Sequence, residues 1–169
     1  MAFMRRSAAA CGVVLISACG LGALVLAAEV RAQGGDIEAG KRVYDKANCV
    51  GCHKWHGGGG GGYGGAALSL RETGLDRQGL IEAVRCGRPA TRMPYHDRTA
   101  WRGTDRGCYD MTRSDLGGDL PPKAAIFLRD AEIEAVVDYV EAAIQGRGEP
   151  TREDCTAYWG DAAKQCDSM

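Results

Sequence analysis

The sequence predicts an all-α domain, because three segments repeat apolar residues at the three- and four-residue spacing of an amphipathic helix. These segments are residues 36–47, 76–86 and 130–144. Glycine or proline closely follows the second and third segments, and both residues end helices. Loops connect the predicted helices, and the loop before the last helix is unusually long.

The first 32 residues have the composition of an export signal. Two arginines precede an apolar run rich in Ala, Leu, Val and Gly, and residues 30–32 fit a signal peptidase site. We expect cleavage after Ala32. An uncleaved membrane anchor through residues 8–28 and a lipoprotein-type cleavage at Cys19 are the alternatives. Each alternative places the rest of the chain outside the cytoplasm.

The length and charge of residues 33–169 fit one domain with a buried core. Of the 21 basic and 22 acidic residues, three and one respectively lie in the export segment, so the remainder carries a net charge of about −3. This balance gives no support to nucleic-acid binding.

The first predicted helix leads directly into Cys49-Val50-Gly51-Cys52-His53, which has the pattern C-x-x-C-H. This pattern is the attachment signature of c-type haem, since two thiols on one helical turn can form thioethers with one porphyrin and the histidine can bind its iron. A thioredoxin-like pair would need a preceding strand, and a zinc site would need a second pair of ligands. We therefore expect one covalent haem c, held by Cys49 and Cys52 with His53 as the proximal ligand.

Four further cysteines follow the motif, and in an oxidising compartment they indicate two disulfides. Cys86 paired with Cys108 would pin the long loop next to the segment that contains Met93. Cys155 paired with Cys166 would close a loop of about 12 residues in the tail.

Residues 57–62 are six consecutive glycines. Such a run loses too much backbone entropy to form a regular element by itself, so it predicts a mobile surface loop. A nucleotide-binding loop is excluded because no strand precedes the tract and no Lys-Ser or Lys-Thr follows it.

The order of these features resembles class I cytochrome c. Gly40 lies one helical turn before Tyr44 in a helix that runs into C-x-x-C-H, and this is similar to the opening of that family. The helix at 130–144 is similar to the last helix of the family, where Tyr139 or Val140 would meet the first helix. The resemblance implies a cytochrome c-like fold with a few helices wrapped round one covalently bound haem.

The resemblance also implies the positions of the other haem contacts. A turn whose carbonyl accepts the second ring proton of the proximal histidine is matched here by residues 65–68, with Ala66 where proline is usual. The Met-Pro segment after the second helix resembles the distal-ligand loop, so Met93 is the predicted sixth ligand, with His96 and Met111 as alternatives. Candidate partners for the haem propionates are Arg88, Arg92, Arg98 and Trp101.

Residues 97–128 depart from the family pattern as a long loop insert, which we expect to be ordered. It is the expected place for a partner-docking surface or a lid over one haem edge. The predicted domain spans residues 33–146 with this insert, and residues 147–169 form a C-terminal extension fastened by its disulfide.

With both axial positions filled, the iron would have no open site, so the resemblance implies one-electron transfer rather than catalysis, and no catalytic residues. We predict a periplasmic monohaem carrier between an exported dehydrogenase and a downstream cytochrome or oxidase. A fixed haem subunit of a larger oxidoreductase complex and a haem sensor with a labile sixth ligand are the alternative functions.

Overall fold

A computed structural model describes residues 37–61, 67–103 and 107–169 of the chain. The predicted export segment, including the alternative anchor at residues 8–28, lies outside the described residues. Among the residues that are described, no helix has the length and apolar character needed to cross a membrane.

The described part of the chain is helical, which confirms the predicted all-α class. Six α-helices follow one another: α1 (37–46), α2 (Cys49–His53), α3 (Arg77–Cys86), α4 (Arg113–Leu116), α5 (Asp130–Ala143) and α6 (Arg152–Trp159). Two short 3₁₀ helices, Gly117–Asp119 and Lys164–Cys166, complete the helical elements. Within the described ranges β-structure is limited to two isolated bridges.

Helix α1 packs directly on the backbone of α5, as the position of Gly40 predicts. A Cβ atom built on Gly40 would lie 2.0 Å from the carbonyl oxygen of Ala135 and 2.6 Å from Cβ of Tyr139. One turn later, the rings of Tyr44 and Tyr139 are tilted against each other with centroids 5.5 Å apart. Only glycine allows the two helices to approach so closely.

Helix α5 supplies the centre of the main core. Its predicted apolar stripe is buried throughout: Ile133, Val136, Val137, Val140 and the following Ile144. Helix α3 packs against it through Leu80, and Val43 and Tyr44 of α1 complete the contact. Because these helices are short, they are stabilised by burial of this stripe more than by helix propensity.

The start of α5 is held from within the helix. Asp130 is the first helical residue, and Arg129 precedes it as the N-cap. The Glu132 carboxylate accepts the backbone N–H of Arg129 at 2.9 Å. A carboxylate reaching back from the first turn satisfies a helix donor as well as a preceding cap would, and it also matches the helix dipole.

The described residues of the insert, 97–103 and 107–128, form a small core together with the end of α3. They contain α4, which the sequence did not predict, and they bury Trp101, Cys108 and Leu116 against Cys86 and Tyr95. A disulfide joins Cys86 to Cys108 with their Cα atoms 5.8 Å apart. The insert is therefore fastened to the C-terminal end of α3.

The C-terminal extension contains α6, a second helix that the sequence did not predict. Thr151 caps it by accepting the Asp154 N–H at 3.1 Å. A disulfide joins Cys155 in this helix to Cys166, and both residues are buried. The extension is thus a folded element rather than a loose tail.

Candidate functional site

Helix α2 carries the three residues of the C-x-x-C-H motif on a single turn and a half. The thiols of Cys49 and Cys52 are unpaired and half-buried, although the other four cysteines of the described chain form disulfides. Burial raises the pKa of the Cys49 thiol to about 12. The structure therefore places two unpaired thiols three residues apart, where thioether formation with one porphyrin requires them.

The ring of His53 is oriented by a backbone carbonyl. Its Nδ1 lies 2.9 Å from the carbonyl oxygen of Leu68. A carbonyl only accepts, so Nδ1 carries the proton and donates it, leaving Nε2 to bind iron. Burial lowers the pKa of His53, which favours the neutral imidazole that coordinates a metal.

The acceptor lies in the turn that the sequence matched to the family. Leu68 is the last residue of the matched stretch, residues 65–68, and its carbonyl is the one that meets His53. Ala66 itself lies outside the described residues. The glycine-rich sequence before it has no apolar pattern that could set the register, so only the folded contact shows which carbonyl is used.

The described part of the glycine tract, residues 57–61, is held by hydrogen bonds, whereas the sequence predicted a mobile surface loop. The N–H of Gly59 donates to the His53 carbonyl at 3.1 Å, and that of Gly61 donates to the Cys52 carbonyl at 3.0 Å. A Cβ atom on Gly57 would lie 2.2 Å from Cγ2 of Ile144, at the end of α5. The described part of the tract therefore satisfies the last carbonyls of α2, and its lack of side chains permits that close packing.

Met93 differs in its surroundings from the two alternative distal ligands. It is half-buried and is not among the side chains packed in either core cluster of the described residues. His96 is buried, and its Nδ1 lies 3.1 Å from the Ile126 carbonyl. Met111 packs against the core of the insert. Of the three candidates, Met93 is the one whose side chain has no recorded hydrogen bond or core contact among the described residues.

Several apolar side chains that pack against the main core are only partly covered by protein. Leu70, Leu75, Ile81 and Val84 are half-buried there, and Cys49 of the motif packs against the same core. Leu68, which orients His53 through its carbonyl, has 71% of its surface exposed. Half-covered apolar surface of this kind fits a flat, largely apolar group such as haem.

One of the four propionate partners suggested from the sequence is already engaged. The indole N–H of Trp101 is buried and donates to the Cys86 carbonyl at 2.9 Å, so Trp101 serves the insert instead. The guanidinium of Arg98 lies over the ring of Phe127. Arg88 and Arg92 are exposed.

Arg71 is a buried structural residue that no pattern in the sequence singles out. Its guanidinium is buried and donates to the carbonyls of His56, Gly148 and Glu149 and to the carboxylate of Asp154. Burial raises the pKa of Asp154, but the bonds from Arg71 and from the Thr151 N–H lower it below its usual value. Arg71 thus joins the segment beside the motif to the C-terminal extension.

A metal site built from protein ligands alone is not found, since the described residues contain no cluster of three or more His, Cys, Asp or Glu side chains that could hold an ion. Comparison with protein-family models matches residues 37–143 to the family described as cytochrome c. Comparison with curated proteins finds no match, and comparison with solved structures finds none either. The matched region contains α1 to α5, the C-x-x-C-H motif and Met93. The chain therefore belongs to the cytochrome c family, whose members are haem-based electron carriers.

Proposed function

We propose that this protein is an exported monohaem c-type cytochrome that passes one electron at a time between two redox proteins. The observation that carries the proposal is the arrangement on α2. Two unpaired thiols and an imidazole oriented by the Leu68 carbonyl share one short helix. Cys49 of this helix packs against the same core cluster as several half-buried apolar side chains.

Cys49 and Cys52 are the proposed thioether attachments, and His53 is the proposed proximal ligand. The Leu68 carbonyl holds the imidazole plane and increases the basicity of the nitrogen that faces the iron. The N–H groups of the glycine tract fix the carbonyls at the end of α2, so the three residues keep their relative positions.

Met93 is the proposed distal ligand. Pro94 favours an extended backbone at Met93, and the Met93 N–H donates to the hydroxyl of Thr91 at 3.1 Å. Haem c supplies a reversible one-electron change at iron, and thioether ligation raises its reduction potential relative to two histidines. Since the chain offers a ligand to each axial position, the proposed role is electron transfer and not the activation of a substrate.

We propose a periplasmic location, with an exported dehydrogenase as donor and a cytochrome or oxidase as acceptor. The four disulfide-bonded cysteines support an oxidising compartment. In this proposal residues 1–32 are the export segment, residues 33–146 form the haem domain, and residues 147–169 are an extension. Redox partners of this kind meet over small, transient surfaces.

The first test is purification from a host that exports and attaches haem c. The expected product is red, has the mass of the chain from Gln33 plus one haem, and keeps that mass after denaturation. The variant Cys49→Ser with Cys52→Ser should lose the covalent haem. A colourless wild-type product with the mass of its amino acids alone would refute the proposal.

The second test concerns the sixth ligand. Met93→Ala should abolish the weak far-red absorption band that marks thioether ligation in oxidised class I cytochromes, and its reduced form should bind carbon monoxide. Met111→Ala is the matched control and should leave both properties unchanged. An unaltered spectrum in Met93→Ala would refute Met93 as the ligand while leaving the attachment motif intact.

A further inference from the structure

We propose that the described residues of the insert, 97–103 and 107–128, form a latch on the loop that carries Met93, with Tyr109 and Trp101 as its positioning residues. The latch would set how readily the distal ligand is displaced. This inference rests on the proposed role of Met93, and it extends that role to residues that do not themselves contact the iron.

The insert binds the backbone at Cys86 and Gly87, where the loop that carries Met93 leaves α3. The indole of Trp101 donates to the carbonyl of Cys86 at 2.9 Å, and the hydroxyl of Tyr109 donates to the carbonyl of the next residue, Gly87, at 2.7 Å. The Cys86–Cys108 disulfide holds the two segments together at the same place. Two successive carbonyls and one side chain of this exit are thus bound by the insert.

Gly87 connects the segment held by the insert to the backbone of Met93. It has a positive φ of 66°, and a Cβ atom built on it would lie 2.7 Å from the Met93 carbonyl oxygen and 2.8 Å from Cβ of Pro121. The N–H of Arg88 also donates to the Met93 carbonyl at 3.2 Å. The chain that Tyr109 holds is therefore packed directly against the backbone of the proposed ligand.

Residues later in the insert bind the same loop at two more points. The N–H of Ala90 donates to the Asp119 carbonyl at 2.8 Å, and that of Tyr95 donates to the Pro122 carbonyl at 3.0 Å. These bonds lie on either side of Met93 in the sequence. The loop is thus held before and after the ligand by one continuous described stretch of the insert, residues 107–128.

The backbone at Tyr109 shows that its position is maintained against a local preference. Tyr109 and Asp110 have φ values of 54° and 53°, in the left-handed region that side-chain-bearing residues seldom adopt. The Tyr109 N–H donates to the Glu82 carboxylate of α3 at 2.7 Å. The surrounding contacts hold this strained turn, and they aim the hydroxyl at Gly87. Strain of this kind is characteristic of positions where geometry matters for function.

Tyr109→Phe tests the latch, because it removes the hydroxyl and keeps the ring. Imidazole added to the oxidised holoprotein must displace Met93, so its apparent affinity reports how easily the loop opens. We expect the affinity to rise about five- to tenfold, the equilibrium factor of one lost neutral hydrogen bond. We also expect faster amide exchange at Arg88 and Tyr95.

Tyr158→Phe is the matched control. This substitution removes the hydrogen bond from the Tyr158 hydroxyl to Asp45, and neither residue belongs to the insert. It should lower the melting temperature without changing the affinity for imidazole. Trp101→Phe is a second latch variant and should act in the same direction as Tyr109→Phe.

Unchanged imidazole affinity in both latch variants would overturn the latch, and so would an equal rise in Tyr158→Phe. Neither result would affect the assignment of Met93, which stands or falls with the spectrum of Met93→Ala. If Met93→Ala kept its far-red band, the ligand assignment would fail first, whatever the latch variants showed.

Discussion

Replacement of Gly40 by alanine tests the helix crossing on which the haem domain is built. The added Cβ would lie 2.0 Å from the carbonyl oxygen of Ala135 and 2.9 Å from its carbonyl carbon. Both atoms belong to the backbone of α5, so no side-chain rotation can relieve the contact. Helices α1 and α5 must move apart, and the buried pair of Tyr44 and Tyr139 must move with them.

Two opposing effects determine the size of the change. Alanine favours a helix interior over glycine by about 1 kcal/mol, which alone would stabilise α1. Overpacking in a well-packed core costs about 1–3 kcal/mol, and a backbone contact places this site at the upper end. The expected net loss is about 2 kcal/mol in the free energy of unfolding, or about 6–10 °C in melting temperature for a domain of this size.

Thermal and denaturant unfolding of the purified holoprotein measure this loss. Gly74→Ala is the matched control, since a Cβ atom at Gly74 would meet no atom within 4 Å, and it should change the melting temperature little. A Gly40→Ala protein as stable as the wild type would show that the helices do not approach as closely as described, and the account of the core would be wrong.

Three further predictions concern the stability of the domain and its extension. Arg71→Met removes the buried guanidinium that pairs with the Asp154 carboxylate, so the free energy of unfolding at neutral pH should fall by about 3 kcal/mol. A loss no greater than that from replacing an exposed arginine would contradict the structural role of Arg71. Glu132 has its pKa lowered from 4.5 to about 2, chiefly by its bond from Lys46, so the stability it contributes is present above pH 4.5 and is lost toward pH 2. The melting-temperature gap between wild type and Glu132→Gln should therefore narrow over that range, and a gap that stays constant would refute the linkage. Replacing Cys155 and Cys166 together by serine should cost about 3 kcal/mol by the chain-entropy model; an unchanged denaturant midpoint would mean that the bridge does not constrain the unfolded chain.

The sequence determined the features that depend on local chemistry or on regular spacing. The C-x-x-C-H motif is read in five consecutive residues, because covalent attachment needs thiols and an imidazole on one turn. The apolar stripe of α5 follows from its 3.6-residue period. All five residues predicted for that stripe, the first being Ile133 and the last Ile144, are buried. The resemblance to class I cytochrome c predicted that Tyr139 or Val140 would meet the first helix, and Tyr139 lies against Gly40 and Tyr44.

Only the tertiary structure decided the features that join residues far apart in the chain. Leu68 lies in the turn matched from the sequence, but only the folded contact shows that its carbonyl is the one that meets His53. Arg71 and Tyr109 act through backbone carbonyls, and a carbonyl has no identity in a sequence. Side-chain pattern predicted α1, α3 and α5, whereas only the fold selected which backbone oxygens orient the ligands, because every residue offers the same one.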